Sequence, residues 1–362
     1  MSTLRLDWDA LRGMSHFDDA SAIIDFAESH RDAGTGRLTP SAPVEGRLLE
    51  RLFSSAPTKQ HLLAELTGDE VYYWSSATLA VVSAGTYSTF MPKLSGPARS
   101  PRGRTYVPWS AEQWKALVND RGLKSCKPQK VTPALFPNLA LSPSAVFDPS
   151  RSVGMDNPGA VYPAIVSCLK SHVSVVVRGA TLFITWPKTQ KNLEAVQDWQ
   201  MLDTPTWPAL LHLVRHELED PRFNYLTEGE AIYKAPGQTH MTLSPKEAAV
   251  YCIDAVNPSP AEWKDTLSAY EWSLDHYKKL SREKEQEARQ DAIVELETAL
   301  RLWQQVKGLP KKRTKDTTSE RELNKSIDRQ KEGLRQMRAK PRRRAAPTQA
   351  APSSSKRTRR SK

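Results

Sequence analysis

His240 is a residue whose type and position in the sequence suggest a chemical role. It follows a Pro-Gly-Gln-Thr turn in the segment TEGEAIYKAPGQTHMTLS, residues 227–244, and lies between two apolar stretches. An imidazole in this position can hydrogen-bond a neighbouring strand, or one of its ring nitrogens can bind a metal ion. From the local sequence alone, the hydrogen-bonding role is the better supported of the two.

Two further histidines, His212 and His216, lie four residues apart in TWPALLHLVRHEL, residues 206–218, which has the pattern of an amphipathic helix. Zinc-binding pairs use this spacing because both rings then share one helix face. In the zinc motif H-E-x-x-H, however, a Glu follows the first His, and here that position is a leucine. The sequence therefore predicts a surface or half-buried pair of histidines.

Other arrangements that support an enzymatic reaction are missing from the sequence. No glycine-rich phosphate loop, G-x-S-x-G elbow or Cys/His nucleophile pair stands out. The three cysteines, Cys126, Cys168 and Cys252, are far apart and never in C-x-x-C spacing. This pattern is typical of free thiols in a reducing compartment.

The elements before residue 130 are predicted mainly from apolar spacing. Residues 1–93 form an N-terminal, mainly helical region, because apolar residues recur at intervals of three and four within 18–30, 45–53 and 58–66. The segment 70–85 is aromatic and β-branched, and leaves a strand and a buried helix both open. Residues 94–129 are predicted to be a linker rich in Pro, Gly, Ser and Arg, followed by a short helix at 110–122.

The sequence pattern changes at residue 130, after which short apolar stretches are separated by Pro, Ser and Gly. In 172–187 two β-rich stretches flank Arg178-Gly179-Ala180, which predicts a hairpin. Further strands are predicted on both sides of the turn before His240. Short strands separated by Pro and Gly favour a barrel or jelly roll over a parallel sheet. We predict that this core spans residues 130–258.

Residues 259–309 are predicted to be a C-terminal helical extension. It begins with a capping box in which Glu262 lies three residues after Ser259. A later apolar stripe includes Leu300 and Trp303; it can form a helix pair or dimer seam, but packing onto the chain's own body is favoured. Residues 310–362 are highly charged and are predicted to be a largely disordered basic tail.

The positive charge of the chain is concentrated in that tail. The net charge is +11, and nine Lys or Arg residues with no acid lie between Lys340 and Lys362, so the other 339 residues carry only +2. Two basic clusters with a neutral spacer predict a nuclear import signal, and hence an import receptor as a partner and a nuclear location. The same charges can hold chromatin or nucleic acid non-specifically. Neither an apolar stretch long enough for a membrane span nor a signal sequence is present, so no membrane partner is expected.

Three segments of the predicted core resemble the JmjC-like cupin proteins common in fungi. The segment GATLFITWPKTQKNLEAVQDW, residues 179–199, is similar to G-x-K-L-F-x-x-W-P-P-T-x-x-N-L, except that Lys188 replaces the second Pro of W-P-P-T. The segment EGEAIYKAPGQTHMTLS, residues 228–244, is similar to the later x-G-D-x-x-x-x-P-x-x-x-H-x-V pattern. The segment GMDNPG, residues 154–159, is similar to H-x-D-x-x-G. The resemblance covers roughly residues 130–258.

The resemblance implies an α+β fold, a cupin/JmjC-like double-stranded β-helix (jelly roll) flanked by amino- and carboxy-terminal helices. In this family two His and one carboxylate hold Fe(II), and a Lys binds the co-substrate 2-oxoglutarate. The match places Asp156 at the acid ligand and His240 at the distal His. Gly154 falls at the proximal His, where there is no side chain to bind metal, and Thr181 falls at the 2-oxoglutarate Lys. His172 is the histidine that could replace the missing ligand.

These departures define two functional hypotheses. The first is a nuclear pseudoenzyme, catalytically degenerate, that acts as a binding or scaffolding module and holds no cofactor. The alternative is an active Fe(II)/2-oxoglutarate-dependent hydroxylase or histone demethylase-type dioxygenase. Loss of a residue that merely supports a metal ligand typically costs about 10–100-fold in metal affinity, and loss of a ligand itself should cost more. The degenerate module is therefore favoured, while the substrate and the oligomeric state stay open.

Overall fold

The computed structural model describes a set of ranges rather than the whole chain. They are residues 18–32, 42–43, 70–75, 80–86, 103–108, 145–167, 170–200 and 206–257, together with 139, 141, 202 and individual positions between 262 and 335. The predicted helices at 45–53, 58–66 and 110–122, and the basic tail at 340–362, lie outside the described residues.

Two antiparallel sheets contain the described strands, numbered here in chain order. The large sheet has the strand order β1 (Ala42–Pro43), β10 (Glu230–Lys234), β7 (Ser171–Arg178), β12 (Ala248–Val256), β5 (Val146–Asp156), β4 (Gly103–Pro108), β2 (Glu70–Ser75) and β3 (Ala80–Thr86). The small sheet has the order β6 (Ala160–Ser167), β11 (Gln238–Ser244), β8 (Ala180–Trp186) and β9 (Arg222–Thr227). The fold is mixed α+β and compatible with a β-sandwich, and the prediction of strands that are not parallel is confirmed.

Helices cover the outer face of the small sheet. They are α1 (Asp18–Asp32), α2 (Gln190–Gln200) and α3 (Trp207–His212), which continues as a π-helical turn (Leu213–Glu217). Alternate strand residues such as Ile184 and Met241 are fully buried against apolar side chains of these helices, including Ile23 and Val196. The helices predicted at 18–30 and 206–218 are confirmed. Each carries the apolar stripe that covers this face of the sheet.

The opposite face of each of these strands points into the space between the sheets. Val176 and Val250 from the large sheet meet Phe183 and Leu226 from the small sheet in one buried cluster. Because side chains alternate along a strand, every second residue of these strands points into the same interior. The interior positions therefore determine which polar residues of the two sheets can meet.

Asn192 explains part of the 179–199 motif in structural terms. Its side-chain Nδ2 donates to the carbonyl of Pro187 at 2.9 Å, and its Oδ1 accepts from the backbone N–H of Glu219 at 2.9 Å. The Thr189 hydroxyl accepts from the backbone N–H of Asn192 at 3.1 Å, at the start of α2. These bonds fix the first turn of α2 between the end of β8 and the segment that leads into β9.

The hairpin predicted around Gly179 is wrong, although both flanking strands are present. β7 belongs to the large sheet and β8 to the small sheet, so the chain crosses between sheets at this residue. Gly179 has φ +77°, and a Cβ there would lie 2.0 Å from the carbonyl oxygen of Glu247. A turn of this kind looks like a hairpin in sequence because only the tertiary pairing distinguishes the two.

The large sheet extends beyond the predicted core at 130–258. The open choice at 70–85 is settled as two strands, β2 and β3, which pair with each other. β4 begins within the predicted linker and joins β2 to β5. The region limits drawn from the sequence stay predictions, but these strands share one sheet with the core.

The carboxy-terminal extension packs on the sandwich. Its described positions between 262 and 305 are helical, as predicted. Leu302 and Trp303 are buried in a cluster with Val256 of β12, and the half-buried Val146 of β5 packs against it. This contact favours packing on the chain's own body over the dimer seam.

The prediction of disorder beyond residue 310 fails for part of that segment. The described positions between 321 and 335 are helical, and Ile327 is buried against Trp303. Most of the other described side chains in this stretch are charged and exposed, so its composition resembles that of a disordered chain. One buried isoleucine is a weak signal in such a sequence, and only the packing reveals it.

Candidate functional site

The two motif segments that suggested a site are adjacent strands. β8 and β11 pair directly, with Thr239 opposite Trp186 and Leu243 opposite Leu182. His240 is the third residue of β11, lies opposite Thr185 of β8, and is only 5% exposed. Its imidazole points into the space between the sheets, because it contacts a side chain of the large sheet.

That side chain is Lys234, the last residue of β10. Its ammonium nitrogen lies 3.3 Å from Nε2 of His240 and 5.6 Å from the centre of the Phe183 ring, and the residue is only 4% exposed. An ammonium group has donors and no acceptor, so this contact is a hydrogen bond when Nε2 of His240 is unprotonated. Nε2, one of the two ring nitrogens of His240 that could bind a metal ion, therefore faces a positive charge already supplied by the protein.

Three more polar residues surround this contact on the large sheet. The strand register places His172 of β7 opposite both Lys234 and Asp254 of β12, so the three side chains share one face. Nδ1 of His172 lies 2.9 Å from Oδ1 of Asp254, and the ammonium of Lys170 donates to Oδ2 at 2.6 Å. We call Lys170, His172, Lys234, His240 and Asp254 the lysine–histidine cluster.

The protonation of this cluster follows from burial and neighbouring charges. Burial lowers the pKa of His172, and the positive charge of Lys234 acts in the same direction, although the bond to Asp254 opposes both. Burial alone would raise the pKa of Asp254, but the hydrogen bond from His172 and the ammonium of Lys170 outweigh it and lower that pKa. His172 is thus a neutral imidazole that donates its Nδ1 proton to an ionised carboxylate.

Asp156 and Thr181, the other two predicted positions, meet at a different place. The hydroxyl of Ser244 donates to Oδ2 of Asp156 at 2.7 Å and lies 3.1 Å from the hydroxyl of Thr181, all in buried surroundings. Ser244 is the last residue of β11, four residues after His240. At roughly 3.3 Å per strand residue, this is roughly 13 Å along the strand, too far for Asp156 and His240 to bind one ion.

Gly154 lies two residues before Asp156 in β5, between Val250 of β12 and Tyr106 of β4. In the structure Gly154 and Asp156 lie on β5, and Asp156 is linked to Thr181 through Ser244, at a distance from His240. His172 lies in the same interior as His240, and Lys234 lies between them: it pairs with His172 across the sheet and contacts His240.

The residues present do not fit an Fe(II) centre of two His and one carboxylate. Among the residues that the structure describes, no group of three or more His, Cys, Asp or Glu is arranged to hold a metal ion. His240 faces the ammonium of Lys234, and Asp254 is engaged by Lys170 and His172. The chemistry that this cluster supports is hydrogen bonding and charge pairing.

The pair His212 and His216 lies on the surface, as predicted. The ring centres are 5.1 Å apart, and Nε2 of His212 lies 3.3 Å from a carboxylate oxygen of Glu217. The side chain of His212 is 63% exposed.

Sequence reasoning missed Lys170, Lys234 and Asp254. One signal was present: Lys234 follows Ile232 at the spacing of a strand, so a charged residue continues an apolar face. A buried cation at such a position needs partners: His240 lies six residues later, on the next strand, and Phe183 lies on a strand distant in the sequence.

Comparison with known proteins adds little to this description. No protein family and no curated protein matches the sequence. Among solved structures, the crystal structure of Drosophila melanogaster CENP-C bound to CAL1 is similar at 9% identity, over 29% of this chain and 60% of that chain, with a TM-score of 0.20. A likeness of this size carries no conclusion about family or function. Within the described residues, no helix is long and apolar enough to cross a membrane.

Proposed function

We propose that this chain is a JmjC-like jelly-roll protein that has lost oxygenase chemistry and acts as a nuclear binding or scaffolding module. The order of the strands supports the jelly roll. From β5 onward the chain crosses between the sheets at every step except the hairpin from β8 to β9, with β5, β7, β10 and β12 in the large sheet and β6, β8, β9 and β11 in the small one. This is the order expected when an antiparallel ribbon is wound around a barrel.

The observation that carries the loss of catalysis is the contact between Lys234 and His240. A metal ion would bind Nε2 at about 2.0–2.1 Å, but the Lys234 ammonium already lies 3.3 Å from that nitrogen. Two positive charges at one buried imidazole repel each other strongly. Gly154 adds no ligand, and Thr181 adds no charge for a 2-oxoglutarate carboxylate.

Metal content after anaerobic reconstitution with Fe(II) tests this proposal. We expect the wild-type chain to retain no stoichiometric iron and to release no succinate from 2-oxoglutarate. The reason is that, of the family's three metal-ligand positions, only His240 places a ligand atom in this part of the interior. Nε2 of that residue faces the ammonium of Lys234.

The matched controls are His240→Ala and His212→Ala. Iron that disappears only in His212→Ala is surface binding by the exposed pair and supports the proposal. Stoichiometric iron that disappears only in His240→Ala, together with succinate release, would overturn it in favour of an active Fe(II)/2-oxoglutarate-dependent hydroxylase or demethylase.

The nuclear part of the proposal rests on the basic segment between Lys340 and Lys362, which would bind an acidic groove of an import receptor. Deleting residues 340–362 from a fluorescent fusion should abolish nuclear accumulation. A second variant keeps the length of the chain and replaces the nine basic residues of this segment with glutamine. It should also fail to accumulate in the nucleus. Unchanged nuclear accumulation in both variants would reject the import signal.

A further inference from the structure

His212 and His216 are two metal-ligating side chains on the surface that the proposed function does not use. His212 is the last residue of α3, and His216 lies in the π-helical turn that follows it. Leu213 and Val214, between the two histidines, are buried in the core beneath the helices and anchor this turn. Both histidines are exposed, so their rings meet on the solvent side of the turn.

The distance between the two rings suits one zinc ion. Their centres are 5.1 Å apart, and the ring planes are inclined at 46°. A Zn–N bond is about 2.0–2.1 Å long and a ring nitrogen lies about 1.1 Å from the ring centre, so two imidazoles on one tetrahedral ion have centres about 5.2 Å apart. The observed separation therefore requires no movement of the backbone, because rotation of the exposed side chains is enough.

The π-helical turn brings a carboxylate to the same place. In an α-helix, at about 100° per residue, a side chain five positions after another lies about 140° away around the axis. Here the backbone N–H of Leu218 donates to the carbonyl of Leu213 at 3.0 Å, which widens the turn by one residue. As a result, Oε1 of Glu217 lies 3.3 Å from Nε2 of His212, five residues earlier. The wider turn thus adds an anion to the pair of imidazoles.

We propose that His212 and His216 form a surface site for one Zn²⁺ ion. The two imidazoles are its protein ligands, and solvent completes the tetrahedron. The carboxylate of Glu217 offsets part of the charge of the ion and holds the ring of His212. Two protein ligands agree with the finding that no group of three or more is arranged for a metal ion in the described ranges.

The neighbouring residues make this a binding site and not a hydrolytic zinc centre. In the motif H-E-x-x-H, the Glu after the first His is the general base. Here that position is Leu213, which is buried in the core. Arg215 is bonded to α1 instead, because its guanidinium donates to the carbonyl of Ala22 at 3.0 Å. The inference goes beyond the proposed function, since it uses no residue of the lysine–histidine cluster.

Calorimetric titration of the full chain with zinc chloride tests the site. The wild-type chain should bind one Zn²⁺ that an excess of Mg²⁺ does not displace, because magnesium prefers oxygen ligands. His212→Ala and His216→Ala should each weaken this binding by more than about 100-fold, since loss of a residue that only supports a ligand already costs about 10–100-fold. Glu217→Gln, which removes such a supporting group, should weaken it about tenfold.

Two control variants should bind zinc as the wild type does. Glu219→Gln removes another exposed carboxylate of the same segment, which pairs with Lys191. His240→Ala removes the buried imidazole. Absence of binding in the wild type, or binding that survives both His212→Ala and His216→Ala, would overturn the site. Zinc that is lost only in His240→Ala would also overturn it, and would contradict the proposed function as well. Stoichiometric iron at His240 with zinc still at the pair would overturn the proposed function alone.

Discussion

Replacing Gly179 with alanine is expected to lower the free energy of unfolding by about 2–5 kcal/mol. Two effects add at this position. The backbone has φ +77°, which costs an L-residue other than glycine about 1–2 kcal/mol. The new Cβ would also lie 2.0 Å from the carbonyl oxygen of Glu247, and crowding of a packed site costs about 1–3 kcal/mol. Because the oxygen belongs to the backbone, the loop between β11 and β12 would have to move.

Chemical denaturation of the variant measures this effect, and Gly237→Ala is the matched control. Gly237 has nearly the same φ, +75°, but its added Cβ would meet the flexible Lys188 side chain. That side chain can move, so we expect a loss of only about 1–2 kcal/mol, the cost of the backbone conformation. Equal losses in the two variants would contradict the close approach of Gly179 to Glu247, and with it the crossing between sheets.

Replacing Trp303 with alanine is expected to cost about 3–5 kcal/mol, as for other large buried aromatic residues. Trp303 is 1% exposed and packs with Val256 of β12 and with Ile327. The variant leaves a cavity between the carboxy-terminal extension and the large sheet. Thermal or chemical unfolding of the full chain measures the loss.

Val294→Ala in the same extension is the control, because Val294 is 54% exposed and should change the free energy of unfolding by less than about 0.5 kcal/mol. The mass of the particle in solution distinguishes the alternative. If the apolar stripe were a dimer seam, Trp303→Ala would dissociate a dimer and leave a stable monomer. A large loss of stability without a change of mass is the result that packing on the chain's own body requires.

The sequence identified several elements well because their signals are local. The helix at 18–30 and the strands around His240 carry apolar residues at the spacing of a helix or a strand, and each needs only its own residues to be recognised. The capping box at Glu262 correctly marked a helix in the extension. Its glutamate was expected to serve the helix start, whereas it also binds two strands of the large sheet.

Errors arose where the outcome depended on contacts between residues distant in the sequence. Gly179 has the same sequence signature in a hairpin and in a crossing between two sheets, since both need a positive φ. Ile327 lies in a charged stretch and becomes part of the core only because Trp303 leaves an apolar surface for it. In both cases the deciding neighbour is distant in the sequence.

The candidate site shows the same division. The residues of this chain by themselves determined that His240 would follow a turn at the start of a strand, and that Gly154 and Thr181 lack the groups a metal and a co-substrate need. Only the tertiary structure decided which residues meet His240. The pairing of β10 with β7 and of β11 with β8 brings Lys234 against Nε2 of His240, whereas Asp156 of β5 meets Ser244 at the far end of β11. A strand register fixes such meetings over many residues at once, and no local pattern encodes it.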